Sequence, residues 1–256
     1  MERLCRLSVV VPAYNEERTL AKVVEELLLV PHLHEIIIVD DSSSDRTFEI
    51  AEILKAQYDK VRVFRHQTNS GKTAALRTGF AATTGDIVIV QDADLEYDPA
   101  EIKDVIQPIV DGVADVVYGS RFLVRRAARV LYFSHYLANK CLTFLSNLLT
   151  NVNFSDIETG YKAFRGEIIR DMIITSSGFG FEIEVTAKMC KLGCVTYEVP
   201  ISYYGRTYDE GKKIGVMDGL AALWYVIRYN LLTDLRSSYR SRIDVRARRP
   251  DGQQPS

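Results

Sequence analysis

The first half of the chain alternates short β-branched runs with segments of helical spacing, and few folds accommodate that order. Leu7 to Val11, Glu35 to Val39, Val61 to Arg65, Asp86 to Gln91 and Asp115 to Tyr118 read as five strands. Runs such as Ile36-Ile37-Ile38-Val39 have no polar face, so they predict strands covered on both sides, as in a parallel sheet. Between them, Glu16 to Val30, Asp45 to Tyr58, Lys72 to Thr83 and Pro99 to Gly112 carry helical periodicity. Asp45 suits an N-cap and Pro99 suits a first helical turn. The order βαβαβαβαβ requires right-handed crossovers and a doubly wound sheet, which binds ligands beyond the carboxyl ends of its strands. Chemistry is therefore expected after Val11, after Val39 and after Gln91.

The second half has a different texture. Tyr132 to Thr150 predicts a helix with Leu137, Cys141, Phe144, Leu145 and Leu148 on one stripe. Gly180 to Leu192 and Val216 to Leu232 predict two more, with a strand near Val195 to Val199. With 256 residues and no repeat or low-complexity stretch, one domain over 1–232 is expected, followed by a basic, flexible tail over 233–256. That tail holds Arg236, Arg240, Arg242, Arg246, Arg248 and Arg249 against Asp244. It reads as a solvated end or as a patch for anionic lipid. The formal net charge of -2 argues against nucleic acid as a partner. Cys5, Cys141, Cys190 and Cys194 lack metal-ligand spacing and suit a reducing compartment. The first apolar run is too short for a signal peptide, and no run of ~18 apolar residues suggests a membrane span. A cytoplasmic or peripheral location is expected.

Three of the predicted strand ends are polar beyond what folding requires. Pro12-Ala13-Tyr14-Asn15-Glu16 follows the first, Asp40-Asp41-Ser42-Ser43-Ser44-Asp45 the second, and Asp92-Ala93-Asp94-Leu95-Glu96 the fourth. A turn with an N-cap accounts for any one of these, but not for three on one sheet edge. Asp92 and Asp94 can direct oxygens at one hard cation, Mg²⁺ or Mn²⁺, which prefers one or two carboxylates completed by water and phosphate oxygens. Such a cation stabilises the charge on a departing diphosphate.

At this point the residues carry a resemblance. The strings VVVPAYNEE at 9–17, VDDSSSDRT at 39–47, SGKTAALRTGF at 70–80 and DADLEYDP at 92–99 resemble family-2 glycosyltransferases. YGSRF at 118–122, DIETGYKAFR at 156–165 and EVPISYYGRTYDEGKKIG at 198–215 are similar to the branch of dolichol-phosphate mannose synthases and bacterial polyprenyl-phosphate glycosyltransferases. The resemblance implies a GT-A-type α/β fold: a doubly wound, mostly parallel sheet with a C-terminal helical extension. It implies that Pro12, Tyr14, Glu16, Val39 and Asp41 line a nucleoside pocket, and that Asp92, Ala93 and Asp94 meet metal and diphosphate. Glu96 stands where that branch usually has Gln, so it either adds a metal ligand or alters a water contact. Arg121 matches the arginine of the GSR string and, with Arg206 and Lys212 or Lys213, supplies cations for phosphate oxygens. His135 loosely takes the place of a further arginine of that branch. Asp156 should face the acceptor side, with Glu182 as a second carboxylate there.

The leading expectation is an inverting transfer of a hexose from a GDP- or UDP-sugar to a polyprenyl phosphate, dependent on a divalent cation. Transfer to a sugar hydroxyl of a glycan is the alternative enzyme, and a nucleotide-sugar-binding protein without catalysis is the alternative class. A phosphate acceptor is already anionic and needs no strong base, so Asp156 or Glu182 would orient rather than deprotonate. Phe133, Tyr136, Leu137, Phe144, Trp224, Tyr225 and Tyr229 belong either to a core or to a membrane-surface face.

Overall fold

The computed structural model describes residues 5–123, 132–178, 180–205, 216–241 and 243–245. Seven strands form one sheet: β1 (Leu7–Ala13), β2 (Leu33–Asp40), β3 (Val61–Arg65), β4 (Ile87–Val90), β5 (Val116–Ser120), β6 (Lys162–Arg165) and β7 (Thr196–Pro200). Their order across the sheet is β3-β2-β1-β4-β6-β5-β7. All pairings are parallel except those of β6, which runs antiparallel to both β4 and β5. The loop 156–161 that precedes β6 consequently lies at the carboxyl edge of the other six strands, with the three polar loops predicted from sequence.

Eight helices accompany the sheet among the described residues: α1 (Leu20–Leu27), α2 (Thr47–Gln57), α3 (Lys72–Ala82), α4 (Ile102–Val110), α5 (Phe133–Thr150), α6 (Gly166–Asp171), α7 (Phe181–Leu192) and α8 (Val216–Ile227), the last extended by a π turn over Arg228–Leu232. The two-sided apolar strands do what their composition predicts. Val9, Val11, Ile36, Ile38, Ile87 and Ile89 pack with α1, α2 and α4. Val10, Ile37, Val39, Val88 and Val90 pack on the opposite face with α3, α6 and α7. Each such side chain taken from water contributes roughly 1.5–3 kcal/mol. α3 lies so close to β1 that a Cβ on Gly79 would stand 2.3 Å from Val10 Cγ1.

Several expectations are corrected. α1 starts at Leu20 rather than Glu16, because Asn15 takes a left-handed φ of 57° and the backbone N–H groups of Glu16 and Glu17 bond across to Thr47 at the start of α2 and to Asp45 before it. β6 is a strand that the sequence pattern over Lys162–Arg165 does not announce. Most of the apolar stripe of α5 faces outward: Leu137, Phe144 and Leu148 are 55–67% exposed, Cys141 and the neighbouring Phe133 are exposed too, and only Leu145 turns to the core beside the buried Thr143 and Ser146. Trp224 is also exposed, whereas Tyr229 is fully buried and its hydroxyl meets Thr175 Oγ1 at 3.0 Å. The basic end begins as packed structure. Tyr239 bridges Met172, donates to the Lys188 carbonyl at 3.1 Å and is buried with Ser238 and Val245. Residues 246–256 lie outside the described structure.

Candidate active site

The loops after β1 and β2 are knitted together by their own polar groups. Asn15 N–H donates to Ser43 Oγ at 3.0 Å, and Asn15 Oδ1 accepts from Ser44 N–H at 2.9 Å. Glu16 N–H donates to Thr47 Oγ1 at 2.8 Å, and the Glu16 carboxylate accepts from Thr19 Oγ1 at 2.8 Å. Tyr14, next to Asn15 in this junction, is half-exposed, and Pro12 is partly exposed. Val39 does not reach the crevice with its side chain, which is fully buried in the core on the α3 side. Ala93 is likewise buried. Asp41 is buried beneath a full set of donors: His66 Nδ1 at 2.6 Å, Ser70 N–H at 3.0 Å and Gly71 N–H at 2.6 Å. These bonds fix the chain just before α3. Gly71, with φ of 86°, makes the turn that lets Lys72 begin the helix.

Asp92 and Asp94 follow β4 as expected, and Lys72 joins them. Lys72 Nζ lies 2.8 Å from Asp92 and 3.8 Å from the Glu182 carboxylate at the start of α7. Burial disfavours the ammonium charge, but Asp92 and then Glu182 outweigh it and hold the Lys72 pKa above its usual range. Gly160 covers this pair: a Cβ there would stand 2.7 Å from Asp92 Oδ2 and 3.3 Å from Lys72 Nζ. Asp94 Oδ1 accepts from Glu96 N–H at 3.1 Å across a turn in which Leu95 is left-handed, with φ of 61°. The Glu96 carboxylate accepts from Tyr203 Oη at 2.8 Å. Tyr97 stacks on Tyr161, with ring centres 5.0 Å apart, and accepts from Gly160 N–H. Burial pushes the Tyr97 phenol up to about 12, so it remains protonated.

Arg121 and Asp156 form a second paired centre. The guanidinium donates through Nε at 2.7 Å and Nη2 at 2.8 Å to the two Asp156 oxygens, and lies over the Tyr203 ring at 5.2 Å. Asp156 is fully buried; burial opposes its charge, but Arg121 pulls its carboxyl below the usual range. Asn139 and Lys140 of α5 reach the same loop, donating to Asp156 Oδ1 at 3.3 Å and to the Ser155 carbonyl at 2.8 Å. Glu198 of β7 accepts from Ser155 and Asp156 N–H. Behind both centres Lys162 donates to the Ile157 and Thr159 carbonyls, and burial brings its pKa down to about 8. Glu158 is partly buried, and its buried Oε1 makes no hydrogen bond; desolvation, then the Glu182 charge, pushes its carboxyl up to about 8.

Residue by residue, the carboxyl edge gathers Tyr14, Glu16, Asp41, Asp92, Asp94, Glu96, Arg121 and Asp156. His135 lies on α5 against Tyr132. Arg206, Lys212 and Lys213 lie outside the described residues. Lys72, Gly160 and Tyr203 were missed. Lys72 carried a signal: a lysine on the first turn of a helix opposes the helix dipole, so its position calls for a carboxylate partner.

Among the described residues no three His, Cys, Asp or Glu side chains form a ready-made metal cage. The donor set at β4 suits a different type of site. Two adjacent carboxylates fit Mg²⁺ or Mn²⁺ whose remaining positions are filled by water and substrate phosphate.

The family described as Glycosyl transferase family 2 matches residues 8–173. A dolichol-phosphate mannosyltransferase of Pyrococcus furiosus is 31% identical over 82% of this chain, which spans 60% of that relative's length. A polyprenol monophosphomannose synthase of Mycolicibacterium smegmatis is 31% identical over 82% of both chains. An undecaprenyl-phosphate mannosyltransferase of Micrococcus luteus is 27% identical over 88% of this chain and 99% of its own length. Among solved structures, glucosyl-3-phosphoglycerate synthase of Mycobacterium tuberculosis, in complex with Mn²⁺, UDP and phosphoglyceric acid, superposes with a TM-score of 0.69. It shares 22% identity over 90% of this chain and 80% of its own, a likeness of GT-A fold alone. The matched residues include the loops after β1, β2 and β4 and both paired centres, and the chain belongs to glycosyl transferase family 2.

Proposed function

We propose that this enzyme transfers a hexose from a GDP- or UDP-sugar to a polyprenyl phosphate in one displacement, with inversion at the anomeric carbon. The observation that carries the reading is the double use of α5. One side of that helix holds the Arg121–Asp156 centre through Asn139, while the other exposes Phe133, Leu137, Phe144 and Leu148. An apolar surface one helix away from a cation suits an acceptor whose phosphate is charged and whose tail is hydrocarbon. The names of the curated relatives point the same way.

In this reading Pro12, Tyr14, Glu16 and Asp41 border the nucleoside. Asp41 acts by fixing the start of α3, because its oxygens are already taken. Asp92 and Asp94, with Glu96 beside them, would hold a divalent cation, which when bound neutralises charge gathering on the departing diphosphate. Arg121, with Arg206, Lys212 and Lys213, meets phosphate oxygens of donor or acceptor. Asp156 is a positioning residue that holds the Arg121 fork in place. Its depressed pKa makes it a poor base, and an acceptor phosphate needs none. Among the described residues no helix is long and apolar enough to cross a membrane. In this reading the exposed apolar side chains of α5 and Trp224, with the arginines of the basic end, would rest on the bilayer surface.

The test incubates the protein with a panel of nucleotide sugars, short polyprenyl phosphates and Mn²⁺, and reads products by mass spectrometry. Formation of a glycosyl phospholipid is expected. Transfer to a soluble sugar hydroxyl with no lipid product would replace this acceptor by the glycan alternative.

A further inference from the structure

Lys72 occupies a position that the fold has to enforce from two sides. It is the first residue of α3, where the free N–H groups of the helix disfavour a positive charge. Asp41 fixes the approach by accepting from Ser70 and Gly71 N–H, and the side chain then ends 2.8 Å from Asp92 and 3.8 Å from Glu182. Gly160 closes over the pair with no room for a methyl group. One ammonium therefore faces two carboxylates, bonded to the one that follows β4 and a short swing from the other.

We infer that Lys72 is the resident counter-cation of Asp92, competing with the divalent ion until a nucleoside diphosphate arrives. The inference rests on the reading of Asp92 and Asp94 as metal ligands. With Lys72 on Asp92, a free cation meets a carboxylate whose charge is already balanced, so its affinity is low. A nucleoside diphosphate brings oxygens that raise the cation's affinity for the site. Lys72 then moves the remaining distance to Glu182 and leaves Asp92 to the metal. Glu182 thereby becomes a positioning residue: it receives the displaced ammonium so that no buried charge is left unpaired. The consequence is coupled uptake of metal and nucleotide.

The experiment titrates Mn²⁺ into the purified full chain, with and without UDP or GDP, and reads free Mn²⁺ by electron paramagnetic resonance. Wild-type protein should bind Mn²⁺ weakly alone and more tightly with the nucleotide. Lys72→Met should bind Mn²⁺ alone on the order of tenfold more tightly, as a carboxylate gains affinity for cations when a neighbouring positive charge is removed. Glu182→Gln should bind it more weakly than wild type, because Lys72 then has only Asp92. Unchanged Mn²⁺ affinity in a folded Lys72→Met protein with weakened nucleotide binding would overturn the inference and make Lys72 a plain phosphate ligand. Should Lys72→Met fail to fold, equal or tighter Mn²⁺ binding by Glu182→Gln overturns it instead. Absence of Mn²⁺ binding by every variant under every condition would overturn the metal reading itself, and the inference with it.

Discussion

β2 enters the sheet after His32 and leaves it before Ser42, and both residues hold the same left-handed φ of 63°. Near the amino end, Glu35 is buried under Ser8 Oγ at 2.7 Å, Thr84 N–H at 2.6 Å and Arg62 Nη1 at 2.8 Å. Just past the carboxyl end, Asp41 is buried under His66, Ser70 and Gly71. The two devices are alike, a carboxylate saturated with donors, but their partners differ in consequence. Those of Glu35 tie β2 to β1, β3 and the turn before β4. Those of Asp41 aim α3 and, through it, the lysine on Asp92. The difference shows that burial and saturation do not distinguish a lock from a functional part. If Lys72 is the exchangeable counter-cation of Asp92, what distinguishes them is whether the last group in the chain of contacts has a partner it can exchange.

That contrast can be broken most forcefully at β4. Asp92→Ala and Asp94→Ala should each cost about 10²–10³-fold in turnover, the scale expected when a group stabilising developing charge is removed. Circular dichroism should show an intact fold, since neither residue helps to join two strands. Full activity of both variants in excess chelator would remove the functional edge from the comparison altogether. Next in size is Gly160→Ala. Its methyl would stand 2.7 Å from Asp92 Oδ2, so the loop or the carboxylate has to move. A shift of that order in a reacting geometry costs roughly ten- to a hundredfold in rate. Steady-state kinetics beside a melting curve would separate that loss from unfolding.

The parallel centre of the sheet was legible because β1, β2 and β4 carry solid apolar runs, each followed by a polar edge. Asp92 and Asp94 were legible for the same reason. β6 was not, since Lys162-Ala163-Phe164-Arg165 begins and ends with a charge and pairs with strands far away in sequence. Lys162 is buried only because the Ile157 and Thr159 carbonyls and the Tyr118 ring receive its ammonium, contacts no local pattern announces. Gly160 could be read as part of a motif but not as the cover of Asp92. The stripe on α5 is visible in the sequence; its direction depends on which neighbours the helix finds.

At the amino end the expected effect is on stability alone. Glu35→Gln should cost about 2 kcal/mol, the scale of a broken buried hydrogen-bonded ion pair partly open to solvent, with KM and kcat unchanged. Burial works against the Glu35 charge, but Ser8, Thr84 and Arg62 bring its pKa down from 4.5 to about 2. A folded pKa below the unfolded one means stability that is present above about pH 4.5 and is lost as pH falls toward 2. Melting temperatures of wild type and variant should therefore converge over that window. A constant gap across it would mean that Glu35 acts by packing and not by charge.

The smallest effects sharpen the comparison most, because the same substitution can be made at both ends of one strand. His32→Gly and Ser42→Gly each relieve a left-handed residue of its Cβ, worth about 1 kcal/mol, against about 0.5 kcal/mol of extra chain entropy in the unfolded state. Neither side chain offsets much of that gain: His32 is exposed, and Ser42 Oγ makes one long bond of 3.4 Å to the Gln67 carbonyl. Both variants should thus gain about 0.5 kcal/mol by denaturant unfolding. Their effects on nucleotide binding should diverge. Ser42 lies between Asp41 and Ser43, whose Oγ receives Asn15 N–H, so added freedom there loosens the junction of the first two loops. Ordering it again on binding should weaken nucleotide affinity about two- to fivefold by calorimetry. His32 has no such neighbour, and its variant should bind nucleotide as wild type does. Equal affinity in both variants would mean that the strain at Ser42 is as incidental as that at His32, and that only the exchangeable partner of Asp92 separates the two ends of the sheet.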